Sequence, residues 1–338
     1  MKLSIPTKAS LTQLRDLAVK CGLNKTGTRV LLSQGLQDAV THCKPLPSTA
    51  RILSIDMGIR NLAFSLLTPE APSRTSPSHT ITPQVPVVHA WKRLSLSSTS
   101  SPTSNSLSDS GLGGVEDFTP SSMCRMAVAL VQNHMLPLEP THILIERQRF
   151  RSGGNPAVFE WTVRVNTLEA MLYAIFGTLR SLGKLNANII PIPPKRVGSF
   201  LLSDEDPGDS ISVSVVKPDP RKAKTRQKTA ATVIKKAKIN LLGTWLQDGN
   251  VVKLGNAEVK GTAEAFLTKW NRTTHRGLLQ DKTTKRKKKS DEGSEDEPGE
   301  TLVKLDDLSD CLLQGLAWLR WQQNVEILSR GLLPEDKP

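Results

Sequence analysis

The sequence predicts an α/β protein: a mixed five-stranded sheet flanked by helices, with a small helical module ahead of it. Three observations carry the prediction. Short apolar runs of β-type residues fall close together at 51–55, 61–67 and 87–96, with turn signals between the first two. Beyond them, helical and strand patterns alternate: a helix at 118–134, a strand at 141–145, a long helix ending near 182, and a strand at 188–192. The chain also opens and closes on amphipathic helical patterns.

Taken in order, residues 9–43 read as two helices. Leu11, Leu14 and Leu17 recur at helical spacing, Cys21-Gly22-Leu23 breaks the pattern, and Gly27 supplies a turn. Val30, Leu31, Leu36 and Val40 then mark a second amphipathic stretch. Helix, Gly-Leu turn, Thr-Gly-Thr-Arg and second helix together resemble a SAP domain, a short helical module that binds duplex DNA. On that resemblance Lys25, Arg29 and the amides of residues 26–28 contact phosphates. An ordinary helical hairpin of the core would show the same periodicity.

Residues 44–50 read as a linker, and the main domain spans 51–330. Leu62, Phe64 and Leu66 alternate as a strand should, and Met57-Gly58-Ile59-Arg60 suits a hairpin connection. Residues 69–86 are rich in Pro, Ser and Thr, and 97–115 are nearly all Ser, Thr, Gly, Asn and Asp; both read as disordered loops. Asn155-Pro156 offers a helix start. After it, Val158, Trp161, Val165, Leu168, Leu172, Ile175, Leu179 and Leu182 alternate steps of three and four, a seam that serves either the core or a dimer contact. Pro193-Pro194 closes the fifth strand. Residues 203–220 read as a loop, 221–247 and 257–270 as helices, and 272–300 as a charged insert. Its run Lys285-Arg286-Lys287-Lys288-Lys289 looks like a nuclear import signal and reads as a mobile, nonspecific DNA tether. Leu305, Leu308, Leu312, Leu316 and Leu319 define a last amphipathic helix over 305–322. Three antiparallel strands followed by alternating helix and strand are the pattern of a ribonuclease-H-like core.

Composition narrows the function. A length of 338 residues allows one large domain and a small one. A formal net charge of +13 points to a polyanionic partner, either nucleic acid or an anionic membrane surface. No apolar run approaches the roughly 20 residues a membrane span needs, so no membrane is expected. Cys21, Cys43, Cys124 and Cys311 form no C-x-x-C pair, which argues against a zinc site of common spacing and fits a reducing compartment. No secretory signal is read. Lys2, Lys8, Arg15 and Lys20 against Asp16 are compatible with organelle import, although they read better as part of a folded helix.

Acidic residues stand at telling places. Asp56 ends the first strand and Glu146 the fourth, while Asp306, Asp307 and Asp310 open the last helix at i,i+4 and i,i+3 spacings that share one face. An acid at the end of an apolar run is desolvated, which raises its pKa unless a cation compensates. Hard divalent cations prefer carboxylate oxygens, and two of them can bind a phosphodiester, activate water and stabilise the leaving oxygen. Each acid alone has an ordinary reading: a turn at Asp56, an ion pair at Glu146, a helix N-terminus at Asp306 and Asp307. Together, on the right elements of one fold, they read as a metal site.

The segments Ser54-Ile55-Asp56-Met57-Gly58-Ile59-Arg60-Asn61-Leu62-Ala63, Ile145-Glu146-Arg147-Gln148 and Asp306-Asp307-Leu308-Ser309-Asp310 resemble the fungal mitochondrial Holliday junction resolvases, relatives of the bacterial RuvC-type enzymes. Asn166, Leu168, Glu169 and Met171 are similar to that family's long helix. The resemblance implies a homodimer in the mitochondrial matrix that binds a four-way DNA junction and makes paired, symmetric nicks. It implies Mg²⁺ or Mn²⁺, two ions per site, held by Asp56 and Glu146 with Asp306 and Asp310. Asp307 is the open position, because an i,i+3 pair would put it in place of Asp306.

A junction presents many phosphates, so a broad basic surface is expected. Arg60, Arg147, Gln148, Arg149 and Arg151 flank the acidic strand ends, Lys195 and Arg196 follow the fifth strand, and Arg226 and Lys228 begin a later helix with Lys235, Lys236 and Lys238 beyond. Phe150 is placed either to wedge against an unstacked base or to pack in the core. Two other classes compete: a non-catalytic DNA-binding protein with a degenerate nuclease core, and another enzyme of the same fold, such as a ribonuclease H or a transposase.

Overall fold

The computed structural model describes residues 9–69, 85–96, 117–148, 159–202, 223–280 and 305–332, with side chains except at 223–231 and 273–280. The expected inserts, apart from their edges and the stretch up to 280, lie outside the described residues, as do Asn155-Pro156 and the basic run at 285–289.

Two helices open the chain. Ser10 caps α1 (Leu11–Lys20) in a reciprocal box with Gln13, and Thr28 caps α2 (Arg29–Thr41). Leu14 and Leu17 close on Leu32, Leu36 and Val40. The buried face of α2 therefore steps by four from Leu32. At about 100° per residue, the expected Val30 and Leu31 turn away from that face, and they are 76% and 65% exposed.

The sheet follows. β1 (Ile52–Asp56) and β2 (Leu62–Thr68) form the expected hairpin, and β3 (Val87–Leu94) pairs antiparallel with β2 across a bulge at Leu66/Leu67. Helix α3 (Pro120–Leu130), extended by a π turn over Val131–Met135, leads to β4 (His142–Glu146), parallel to β1. Helix α4 (Glu160–Ser181) leads to β5 (Asn188–Ile192), parallel to β4. Then come α5 (Pro194–Leu201), α6 (Ala223–Asp248), β6 (Lys253–Leu254), α7 (Ala257–Gln280) and α8 (Leu305–Ser329). The sheet order is β5-β4-β1-β2-β3-β6. All five expected strands form. The sixth has two residues, too few to leave a periodic signal. Helix α7 runs on from 270 to Gln280, into the stretch expected to begin the charged insert.

Strand parity sorts the two faces. Leu53, Ile55, Phe64, Ile143 and Ile145 pack under α3 and α4, whereas Ile52, Ala63 and Leu144 face α5 to α8. Each of these fully buried Leu, Ile and Phe side chains contributes roughly 1.5–3 kcal/mol. Helix α8 is buried along nearly its whole length, between the sheet and α6. It comes close to the sheet at Gly315, where a Cβ would stand 3.2 Å from Ser54 Cβ and nearer still to Leu67. Its far end carries the N-terminal module. Val325 and Leu328 join the module core, and Asn324 Nδ2 donates to the Lys20 carbonyl at 2.7 Å. Gly22, with φ of +66°, lies flat on Trp321. Among the described residues, no helix is long and apolar enough to cross a membrane.

Candidate active site

The acids assemble because of parity and register. Residues 52, 54 and 56 of β1, and 142, 144 and 146 of β4, point toward α8. Ile55 pairs with Ile145 in the parallel register, so Asp56 and Glu146 stand side by side at the C-terminal edge of the sheet. Their carboxyl groups share a hydrogen bond. Asp56 is only 9% exposed. Burial pushes its pKa well up, and the Glu146 hydrogen bond and charge, then the charges of Asp310 and Asp307, push the same way.

Asp307 and Asp310, one helical turn apart on α8, thus complete the group around Asp56. Asp306 turns toward α6. Each of the three α8 acids meets a cation from another element. Lys235 Nζ lies 2.7 Å from Asp306 Oδ2, Lys238 Nζ 2.8 Å from Asp310 Oδ1, and Arg93 Nε 3.3 Å from Asp307 Oδ2. Arg93 also donates through Nη2 to Asn61 Oδ1, in the β1–β2 connection. The Asp306 hydrogen bond raises the Lys235 pKa despite partial burial.

A polar floor sets the height and rotation of α8. Gln314 Nε2 donates to Ser54 Oγ at 3.1 Å and to the Ile55 carbonyl at 3.2 Å. Ser65 Oγ donates to the Cys311 carbonyl at 3.2 Å, and Trp91 Nε1 to the Leu308 carbonyl at 3.0 Å. Burial, with the charges of Asp56 and Asp310, pushes the Cys311 thiol up, so it stays a neutral packing group and no nucleophile. Behind β4, the Gln148 backbone N–H donates to Glu169 Oε2 at 3.2 Å, fixing the chain just after Glu146. Burial raises the Glu169 pKa.

Several of the expected phosphate contacts converge. Lys25, Arg147, Gln148, Lys195 and Arg196 line one cleft of about 630 Å³ between the N-terminal module and the core, with Asn24, Thr26 and Ser199. Arg147 directly follows Glu146 in the chain, while none of the acids of β1, β4 and α8 lines the cleft. Arg196 also ties the walls together, donating to the Gly22 carbonyl at 3.3 Å. Other expected contacts lie elsewhere. Arg29 begins α2 on its exposed side, and Arg60 lies over the Trp161 ring, 5.0 Å from its centroid. Arg149, Phe150 and Arg151 are outside the described residues, as are the side chains of Arg226 and Lys228 on α6. Sequence reasoning missed Arg93, Asn61, Gln314 and the lysine–acid pairing. Only Arg93 left a signal: it lies two residues beyond Trp91 on the strand face that meets α8.

The donor set fits a hard divalent cation, being all carboxylate oxygen with a buried acid among like charges. It is not a closed cage, for among the described residues no three acidic, histidine or cysteine side chains stand together to hold a metal ion as they are. The α8 acids lean on their own cations instead.

The family described as mitochondrial resolvase Ydc2 / RNA splicing MRS1 matches residues 52–328. The mitochondrial cruciform cutting endonuclease 1 of Schizosaccharomyces pombe (strain 972 / ATCC 24843) is 27% identical over 318 residues, covering 94% of this chain and 93% of its own. The crystal structure of the yeast mitochondrial Holliday junction resolvase Ydc2 is similar with a TM-score of 0.54 at 24% identity, over 94% of this chain and 95% of that one, and it bears out the fold. A Thermus thermophilus RuvC structure, at a TM-score of 0.27, 13% identity and 45% and 69% coverage, is too distant to bear weight.

Proposed function

The chain belongs to the mitochondrial resolvase Ydc2 / RNA splicing MRS1 family, and from that premise we propose that it is a mitochondrial endonuclease that resolves four-way DNA junctions by metal-dependent phosphodiester hydrolysis. The family description pairs a resolvase with a splicing protein, so membership alone does not choose between cutting and binding. The observation that chooses is the buried Asp56 carboxyl, hydrogen-bonded to the half-buried Glu146 and facing Asp307 and Asp310. Such a pair costs the fold stability, and a scaffold that only binds nucleic acid gains nothing from it.

Asp56, Glu146, Asp307 and Asp310 would hold the cations, Mg²⁺ or Mn²⁺ and two per site. When bound, the ions supply charge neutralisation at the phosphate and an activated water. Burial among like charges raises the Asp56 pKa, so Asp56 would give up a proton to hold a cation and uptake would strengthen as pH rises above the usual carboxylate range. Arg93 keeps Asp307 turned inward, and the Glu169–Gln148 bond keeps Glu146 at the sheet edge. Lys25, Arg147, Lys195 and Arg196 take backbone phosphates along the cleft, with the SAP-like module as one wall. Paired nicks need two sites, which a two-fold homodimer supplies.

The test is cleavage of a mobile four-way junction, a linear duplex and an RNA–DNA hybrid in Mg²⁺, wild type beside Asp56→Asn. Paired nicks confined to the junction, lost in the variant while binding is kept, support the proposal. Tight junction binding without cleavage by wild type, in Mg²⁺ or Mn²⁺, refutes it in favour of a non-catalytic DNA-binding protein.

A further inference from the structure

Two of the three α8 acids are held by ammonium groups from a single helix. Lys235 and Lys238 are one turn apart on α6, and their Nζ atoms sit 2.7 Å from Asp306 and 2.8 Å from Asp310. The third acid, Asp307, is held differently. The planar Arg93 guanidinium is itself pinned by Asn61, a fixed geometry suited to positioning. An ammonium on a four-carbon stem is a mobile point charge. Lys238 occupies an Asp310 oxygen that a divalent cation would need, and a cation bound there would repel both ammonium groups from contact distance.

Resting on the proposed nuclease function, we propose that Lys235 and Lys238 are exchangeable counter-ions of the site, displaced from Asp306 and Asp310 when the metal enters and turned onto the backbone phosphates of the strand to be cut. In the metal-free protein they keep the α8 acids from repelling one another and from recruiting phosphate contacts out of turn. Once displaced, the same two charges join the neighbouring basic surface. Metal uptake and tight seating of the DNA strand are thereby coupled through two side chains.

Lysine acylation read by mass spectrometry tests the exchange on the full-length protein. The side chain of Lys238 is 14% exposed and so is the sharper reporter; Lys236, exposed on the same helix, is the internal control. Adding Mn²⁺ should raise Lys238 labelling severalfold and leave Lys236 unchanged. Adding a junction made resistant to cleavage by phosphorothioate linkages at the crossover to the Mn²⁺-loaded wild-type protein should protect Lys238 again. A second readout is Mn²⁺ affinity by calorimetry without DNA. Lys238→Gln and Lys235→Gln should each bind Mn²⁺ about 10-fold more tightly, within the usual range of site-to-site coupling, and Lys236→Gln much less so. Unchanged Lys238 labelling, or Mn²⁺ affinities that follow Lys236→Gln, would overturn the exchange. Labelling that rises with Mn²⁺ but is not reversed by junction would overturn the phosphate contact. A wild-type protein that takes up no Mn²⁺ would overturn the metal reading beneath it as well.

Discussion

Replacing Gly22 by alanine tests whether the N-terminal module is part of the working surface. Its φ of +66° is left-handed, which costs an alanine roughly 1–2 kcal/mol. The added Cβ would lie 2.7 Å from Trp321 Cγ and closer still to Cδ2 and Cε3. Even at Cγ that is well short of the roughly 3.5 Å of normal carbon contact. Trp321 is buried against Phe200 at 5.9 Å between centroids, so the ring has nowhere to retreat and the module must move instead. Overpacking of this kind costs about 1–3 kcal/mol, for a total of about 2–5 kcal/mol. The movement carries Lys25 and Thr26 away from Arg147, Lys195 and Arg196 across the cleft. The urea midpoint should fall. Fluorescence anisotropy should show weaker junction binding, with the slope of log affinity against log salt reduced by about one phosphate contact. Mn²⁺ affinity should not change, because the acids lie on the core. Wild-type stability with an unchanged salt slope would refute both the docking and the shared cleft.

Asp56→Asn should raise the thermal midpoint in EDTA. The raised pKa means that the folded state binds the proton more tightly, so ionised Asp56 lowers stability as pH rises above the carboxylate range. Each kcal/mol relieved is worth roughly 2–4 °C, and a lower midpoint in the variant would contradict the buried like-charge group. His142 works in the opposite direction: burial beside Trp318 lowers its pKa, so the unfolded chain takes a proton first and stability falls as pH drops below about 6.5. His142→Gln should therefore lose less stability than wild type between pH 7.5 and pH 5, measured by urea midpoints; parallel losses would contradict this. Arg93→Lys should lower kcat about 10–100-fold with junction affinity retained, as expected for a ligand displaced by about 1 Å, and Asp307→Asn should match it while Asp306→Asn does not. Equal loss in the two aspartate variants would place both on the metal.

Much of the fold was legible because its signals are local. Alternation and turn residues gave the hairpin, and the spacing of Leu305, Leu308, Leu312, Leu316 and Leu319 gave α8. The choice between Asp306 and Asp307 was not legible. It depends on the rotation of α8 about its axis, which is set by contacts such as Gln314 with Ser54, 260 residues apart. The cleft joins residues 25, 147, 195 and 196 through the docking of the module, which no local pattern encodes.

The acids and their cations differ in legibility for a physical reason. An acid ending an apolar strand breaks the local rule that a buried run stays apolar, so Asp56 and Glu146 stand out even in a single sequence. Lysines on an amphipathic helix obey every local rule. Lys235 and Lys238 therefore read as solvated charge or DNA surface, although their partners lie 71 and 72 residues further along the chain. Local conflict marks the groups that the fold must strain to bury. The groups that relieve the conflict are locally satisfied, and only the assembled sheet and α8 bring them into view.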